Sequence, residues 1–238
     1  MKPKHRFHIQ PTDSSSERIQ LDDNEAHHAI HVLRVRSGDQ IELFDGQGNL
    51  YQAEIATLSK KNVEAKISAH THTDAQTPTL TLTQAWLNHE KNHEIIIRRA
   101  TELGVSEIRF IKTKNSERKP KEYPKWQRWA VESCKQCKRL WLPKIQIVEP
   151  NEGTMNDSLN LLATQHAAPK PLSVIDASSG NINIQIGPEG DFSKEEVKSF
   201  LDSGAVPIGL GDATYRSELA AQIAITLVQH QFGNLGPR

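Results

Sequence analysis

Cysteine is scarce: Cys134 and Cys137 are the two in 238 residues. A disulfide-stapled secreted scaffold is excluded on that count, and a reducing cytoplasm is the expected home. Nowhere do about eighteen apolar residues run together, so no membrane-spanning helix is expected. The opening Met1-Lys2-Pro3-Lys4-His5 lacks the apolar segment of a secretory signal. Charge of one sign is also lacking: 29 Lys+Arg balance 29 Asp+Glu, so bulk charge does not mark a nucleic-acid binder. No GxGxxG follows the first strand of a βαβ unit, which argues against a dinucleotide oxidoreductase. The hydrophobic share is a modest 36%, yet a chain this long can bury a substantial core, as one large or two small domains.

What the chain does contain is concentrated in its last quarter. Ile182, Ile184 and Ile186 alternate with polar residues, as in a strand. Gly187 and Gly190 then bracket a Pro188-Glu189 turn, and Ser193 with Glu196 forms a capping box opening a helix over Lys194–Leu201, ended by Gly204. A second unit repeats this logic. Val206 and Ile208 enter a glycine-rich turn, Ser217 is placed to cap, and Leu219–Leu227 is apolar enough to bury a face. Two strand–glycine–helix units put two tight loops at the carboxyl edge of a sheet, where ligands bind in open α/β folds.

Residues 1–72 are expected to be mainly strand: Arg6–Ile9, Arg18–Leu21, Asp39–Phe44, Leu50–Ile55 and the alternation of Val63, Ala65 and Ile67. Only Asp23–Leu33 looks helical, capped by Asp22 or Asp23. Short strands with turns suggest a small barrel. Thr71–Thr79 is a candidate linker. Beyond it strands and helices alternate: a strand from Leu80, a helix Lys91–Leu103 closed by Gly104, a strand Glu107–Ile111, a basic loop Ser116–Pro124 and a helix Lys125–Leu140. Strands follow at Ile145–Val148, Leu172–Ile175, Ile182–Ile186 and Val206–Ile208, arguing a mainly parallel sheet. Between Arg109 and Lys144 bases far outnumber acids, a local excess suited to phosphates. Cys134 and Cys137 form a CxxC inside a helical pattern with no second Cys pair, so small buried side chains are expected, and no metal site.

Four segments carry a resemblance. Ile186–Ser193, IGPEGDFS, resembles the IGPEGGFS loop of the RsmE family of ribosomal RNA uridine-N3 methyltransferases, in the SPOUT superfamily. Leu210–Ala221, LGDATYRSELAA, is similar to that family's LG-x-x-ILRTETAA segment, and Arg99–Val105, RATELGV, to its KATELGV. HVLRVRSGDQIELFDGQG, within His28–Gly48, is similar to its HVLR and GD…DG-x-G pattern. The resemblance implies an α/β, SPOUT-type trefoil-knotted, mainly parallel sheet over 73–238, the knot near 180–235, preceded by a PUA-like β-barrel RNA-binding domain over 1–72. It implies S-adenosylmethionine as cofactor, 16S rRNA or the small subunit as partner, and a homodimer, to which the helix Leu219–Val228 would contribute.

The resemblance places the cofactor at Ile186, Gly187, Pro188, Glu189, Gly190, Leu210, Gly211, Tyr215 and Leu219. RNA contact falls to Arg34, Arg36, Lys112, Lys114, Arg118, Lys119 and Arg139. Uridine N3 carries a proton at neutral pH, so negative charge develops on the ring during transfer, and a fixed cation stabilises it. Arg216 matches the family's arginine and takes that role. Glu218 orients Arg216, accepts the proton, or is a helix-start carboxylate favoured by the dipole. N3 lies on the Watson–Crick edge, so the target must be unpaired or flipped out. Asp191, Asp212, Ala213, Tyr215 and Leu219 depart from the family pattern, and in the basic helix Gln136 and Arg139 fit it while Ser133–Lys135 do not. Two alternatives stand beside this reading: a SPOUT methyltransferase with another target nucleotide, and a non-catalytic RNA-binding assembly factor.

Overall fold

The computed structural model describes residues 5–11, 17–176, 180–233 and 235. They fall into two compact units, Met1–Ala75 with Cys134–Leu142, and Gln76–Ser133 with Pro143–Arg238. Residues 134–142 thus cluster with the first unit, although they follow the expected linker by some sixty residues of chain.

In the first unit, β1 (His5–His8), β2 (Arg18–Gln20), β3 (Gln40–Phe44), β4 (Asn49–Leu58) and β5 (Val63–His72) form one sheet in the order β1-β3-β4-β5-β2. Only β1 and β3 run parallel. Phe7, Ile41, Leu43, Ala53, Ile55, Val63 and Ala65 fill its core. Helix α1 (Asp23–His27) starts where the Asp22 side chain accepts from Glu25 N at 2.8 Å. Its continuation His28–Leu33 widens into a π turn and stops at Arg34, left-handed at φ 53°. The β3–β4 turn is organised by Asp45, whose Oδ1 accepts from Gln47 N and Asn49 N. Lys135 of the 134–142 segment holds the Glu25 carboxylate at 2.7 and 2.9 Å, which is one reason that segment belongs here.

In the second unit, β6 (Thr79–Ala85), β7 (Glu107–Ile111), β8 (Lys144–Val148), β9 (Leu159–Ala163), β10 (Asn181–Ile186) and β11 (Val206–Ile208) form an all-parallel sheet ordered β11-β9-β10-β6-β7-β8. Register brings Gln84, Ala163, Ile186 and Ile208 to one edge. Helices α2 (Glu90–Glu102), α3 (Lys125–Cys137), α4 (Lys194–Asp202) and α5 (Ser217–Phe232) complete the chain. α4 has the expected capping box: Ser193 Oγ accepts from Glu196 N, and Ser193 N donates to Glu196 Oε2 at 2.8 Å. α5 turns Ala221, Ala224, Ile225 and Val228 inward, against α2, β6 and β10.

Several expectations are corrected. Leu172–Ile175 is not a strand; Leu172–Val174 is a short 3-10 turn after Pro171, with Val174 72% exposed. The strand beside β10 is instead β9, which periodicity did not reveal. α3 ends at Cys137 rather than Leu140, because Lys138 adopts φ 64°. Of the two cysteines only Cys134 is buried, and burial pushes its thiol up to about 12. Ser217 does not cap α5: Arg216 occupies that position and Ser217 is the first helical residue, buried.

Candidate cofactor and RNA site

The loops after β6, β9, β10 and β11 meet at the carboxyl edge of the second sheet. The first glycine bend is a turn in which Asp191 N donates to Pro188 O at 3.0 Å. Ile186, Gly187 and Pro188 are buried, while Glu189 and Gly190 face outward. A Cβ on Gly187 would lie 2.9 Å from Asp191 Oδ1 and 3.0 Å from Phe192 N, so the turn closes only around glycine. Asp191, the residue after Gly190, has φ 57°. It stands where the resembled loop has glycine, and short polar side chains tolerate that conformation by bonding locally. Asp191 Oδ1 accepts from Phe192 N at 2.7 Å, and Oδ2 accepts from Thr164 Oγ1 at 3.1 Å and Gln165 N at 3.0 Å.

The second bend, Gly209–Gly211, runs into α5. Gly211 has φ 112°, and a Cβ there would come 3.5 Å from the Tyr215 hydroxyl. Leu210 and Tyr215 are half-buried, and Leu219 is 44% exposed. The Ser217 hydroxyl donates to Gly187 O at 2.5 Å and accepts from Gln84 Nε2 at 2.9 Å, while that same amide also reaches Gly187 O at 3.2 Å. A second tie runs through the β9 loop, where Gln165 Nε2 donates to Thr214 Oγ1 at 2.9 Å. The expected cofactor residues are therefore brought together, on a frame of Gln84, Thr164, Gln165 and Ser217 that the motifs did not single out. Gln84 follows the alternating Thr79–Thr83 run one residue before the end of β6, and nothing in that pattern marks it. Thr164 and Gln165 had no signal either, since β9 itself was not recognised.

Glu189 is committed within the protein: its Oε1 accepts from Asn88 N at 3.0 Å. Arg216 is exposed, and its guanidinium makes no hydrogen bond or ion pair among the described residues. Glu218 lies in the first turn of α5, and no ion pair joins it to Arg216. In the basic loop, Asn115 Nδ2 donates to Gly190 O and Asp191 O at 3.1 and 2.9 Å, and Lys114 N donates to Glu196 Oε1 at 2.7 Å. Lys114 Nζ pairs with Glu195 at 3.2 Å, and Lys112 Nζ donates to Ser116 O. Arg118 and Lys119 are exposed. In the first unit Arg34 and Arg36 are exposed, whereas Arg139 is half-buried and desolvation lowers its pKa. Among the described residues no three His, Cys, Asp or Glu side chains are grouped to hold a metal.

Residues 75–229 match the model of the RNA methyltransferase domain, and residues 21–68 that of the RNA methyltransferase PUA domain. The ribosomal RNA small subunit methyltransferase E of Buchnera aphidicola subsp. Schizaphis graminum is 27% identical over 233 residues, which is 91% of this chain and 92% of that one. The protein of the same name from Rickettsia conorii is 27% identical over 232 residues, 94% of each chain. The crystal structure of the Neisseria gonorrhoeae ribosomal RNA small subunit methyltransferase E bound to S-adenosyl methionine matches with a TM-score of 0.88 at 28% identity, over 97% of this chain and 99% of that one. A Legionella pneumophila chain in complex with bound cofactor SAM matches with a TM-score of 0.83 at 26% identity, over 94% and 96%. A PUA-like unit followed by a parallel α/β sheet whose glycine bends meet at one edge is the architecture of an RNA-modifying transferase, and the chain belongs to the RNA methyltransferase family. Within it, the resemblance to the RsmE proteins first visible in four motifs extends over both units.

Proposed function

We propose that the protein methylates N3 of a specific uridine in the 16S rRNA of the small ribosomal subunit, using S-adenosylmethionine. The observation that carries the reading is the Gln84–Ser217–Gly187 tie, which brings the two glycine bends to one edge. S-adenosyl methionine is bound by a relative that matches nearly the whole chain.

The residues present fit such a cofactor. Ile186, Pro188 and Leu210 supply apolar walls, and the glycines leave backbone groups open to close approach. Gln84 Oε1 and Asn88 Oδ1 are buried at this edge without partners among the described residues, two acceptors for a ligand carrying N–H donors. When bound, S-adenosylmethionine supplies an electrophilic methyl group, so no covalent enzyme intermediate is required. The chain's own task is positioning. Pro188 to Asp191 and Leu210 to Tyr215 hold the cofactor, with Glu189 acting through Asn88 N to set the depth of the first bend. Arg216, fixed by its backbone at the start of α5 and free at its guanidinium, stabilises the charge that develops on the uracil ring as its N3 proton leaves. Glu218, unpaired with Arg216, is the nearby carboxylate available to take that proton. Arg118 and Lys119, with Arg34 and Arg36, meet RNA phosphates; Arg139, half-buried, contributes less.

Three further features belong to this reading. A trefoil knot is supported by the path of the chain: β10 lies inside the sheet, β11 passes to its edge, and Ser217 returns to Gly187. A homodimer is supported by Leu219, Ile223 and Leu227, spaced four apart on α5, with Leu219 44% and Leu227 38% exposed. A cytoplasmic location follows from a ribosomal substrate, and among the described residues no helix is long and apolar enough to cross a membrane. The test is transfer of label from methyl-labelled S-adenosylmethionine to small subunits lacking the modification, followed by nucleoside mass spectrometry. Label at uridine N3 is expected. Label in another nucleotide would select a different target, and cofactor binding without any transfer would sink the catalytic assignment.

A further inference from the structure

On β5 of the first unit, two exposed imidazoles are tied to one acceptor on β4. Asn49 Nδ2 donates to the buried Asp45 carboxylate at 2.6 Å, so Asn49 Oδ1 is the acceptor; the flipped amide would set oxygen against oxygen. That Oδ1 contacts both His70 Nε2 and His72 Nδ1 at 2.9 Å. Each imidazole must therefore donate, which fixes both tautomers and both ring orientations. His70 stacks on Tyr51 with centroids 4.7 Å apart and planes 17° apart, and Tyr51 is 3% exposed. His72 stands edge-on to Trp141 at 6.1 Å, and Trp141 is pinned by its Nε1 donating to Thr73 O at 2.9 Å.

Holding exposed side chains in single rotamers costs conformational entropy, and such a preordered surface repays that cost by lowering the entropy lost on binding. One face of His70 is covered by Tyr51 and the residue is exposed, leaving its other face to solvent. We infer that the His70–Tyr51 stack, flanked by His72, is a binding site for an unpaired nucleobase of the RNA substrate. Single-stranded RNA is bound by stacking bases on aromatic and histidine rings, and this unit matches an RNA methyltransferase PUA domain. The base is the ligand rather than the phosphate: the Asp45 carboxylate lies behind Asn49, and Asp74 Oδ1 is 3.6 Å from His72 Nε2. The inference rests on RNA being the substrate.

Its test is fluorescence anisotropy of the full chain with a short fluorescein-labelled single-stranded RNA at several salt concentrations. Loss of one stacked base predicts roughly tenfold weaker binding for His70→Ala. His70→Tyr restores the affinity, and the salt slope stays that of the wild type because no phosphate contact is lost. In the methylation assay His70→Ala raises KM for RNA and leaves kcat and S-adenosylmethionine affinity as they were. Wild-type affinity in His70→Ala, or no rescue by His70→Tyr, overturns the site. A shallower salt slope in His70→Ala assigns His70 to phosphate and overturns the base reading. Weakened RNA binding in His70→Ala alongside a wild type that transfers no methyl keeps this site and removes the function proposed above.

Discussion

Ser217 Oγ donates to Gly187 O across thirty residues of chain, joining the first residue of α5 to the first glycine bend. The same hydroxyl accepts from the fully buried Gln84 amide. Ser217→Ala removes the hydroxyl donor to Gly187 O, while the Gln84 amide keeps Ala85 O at 3.1 Å and Gly187 O at 3.2 Å. Losing such a hydrogen bond costs roughly 0.5–1.5 kcal/mol net. Urea unfolding is expected to show a loss of that order, and calorimetry a weaker affinity for S-adenosylmethionine. Unchanged cofactor affinity would mean that the bends are set by something other than this bond.

Arg216 contributes its backbone to α5 and leaves its guanidinium unengaged, so truncation spares the fold. Arg216→Ala is expected to bind S-adenosylmethionine within twofold of the wild type. Its single-turnover rate of methyl transfer should fall roughly 100-fold, the range seen when one donor to a developing anion is removed. Lysine restores only part of the rate, because an ammonium lacks the planar donor fork. A full-speed Arg216→Ala would end the assignment.

Asp191 combines a left-handed backbone with three accepted hydrogen bonds, so its two contributions can be separated. Asp191→Gly keeps the conformation, sheds the Cβ and loses the bonds; Asp191→Ala loses the bonds yet retains a Cβ in a region costing roughly 1–2 kcal/mol. The expected order of stability by urea midpoint is wild type, then Gly, then Ala. Both variants free Thr164 and Gln165 and so bind the cofactor less well. Equal stability of Gly and Ala would refute the left-handed turn.

Burial against Trp86 and Phe110 lowers the His93 pKa to about 4. The unfolded value is higher, near 6.5, so between those values the unfolded chain binds the extra proton. Stability is then complete above about pH 6.5 and is lost as pH falls toward 4, by roughly 3 kcal/mol in total. His93→Gln, which retains an acceptor for Leu87 N, should flatten that part of the stability profile. An equally steep profile in the variant would place the proton uptake elsewhere.

Leu227 lies on the exposed stripe of α5 away from the two bends. Leu227→Glu is expected to shift sedimentation from dimer to monomer while the thermal unfolding of the monomer stays within about 0.5 kcal/mol of a neutral surface change. A wild type that sediments as a monomer would remove the dimer from the reading.

Local chemistry was legible in the chain wherever neighbours in sequence are also partners in space. The Ser193–Glu196 box, Asp22 at the start of α1, the Glu107–Ile111 and Val206–Ile208 strands and the turn at Pro188 all follow from residues within four positions of one another. The isoleucine alternation of β10 identified a strand but not its surroundings. Asn183 and Gln185 are as buried as the isoleucines: Gly153 O, Asn160 and Thr83 bond the Asn183 amide, and Gly153 O and Thr154 Oγ1 take the Gln185 N–H groups, leaving Gln185 Oε1 without a partner among the described residues. β9 was missed because Leu159-Asn160-Leu161-Leu162-Ala163 has no alternation to betray it, Asn160 being satisfied by Met155 and Ser158 carbonyls.

Composition and local spacing thus decided the class of fold, the positions of the two glycine bends and the family they resemble, because those depend on dihedral preference and short-range hydrogen bonds. Folding decided the rest. A hydroxyl suited to capping its own helix turned inward to Gly187; a carboxylate in a glycine's place reached Thr164 and Gln165; and residues 134–142 joined a unit whose strands precede them. Each of those outcomes depends on groups far apart in the chain competing for one buried partner, and no window of sequence contains both competitors.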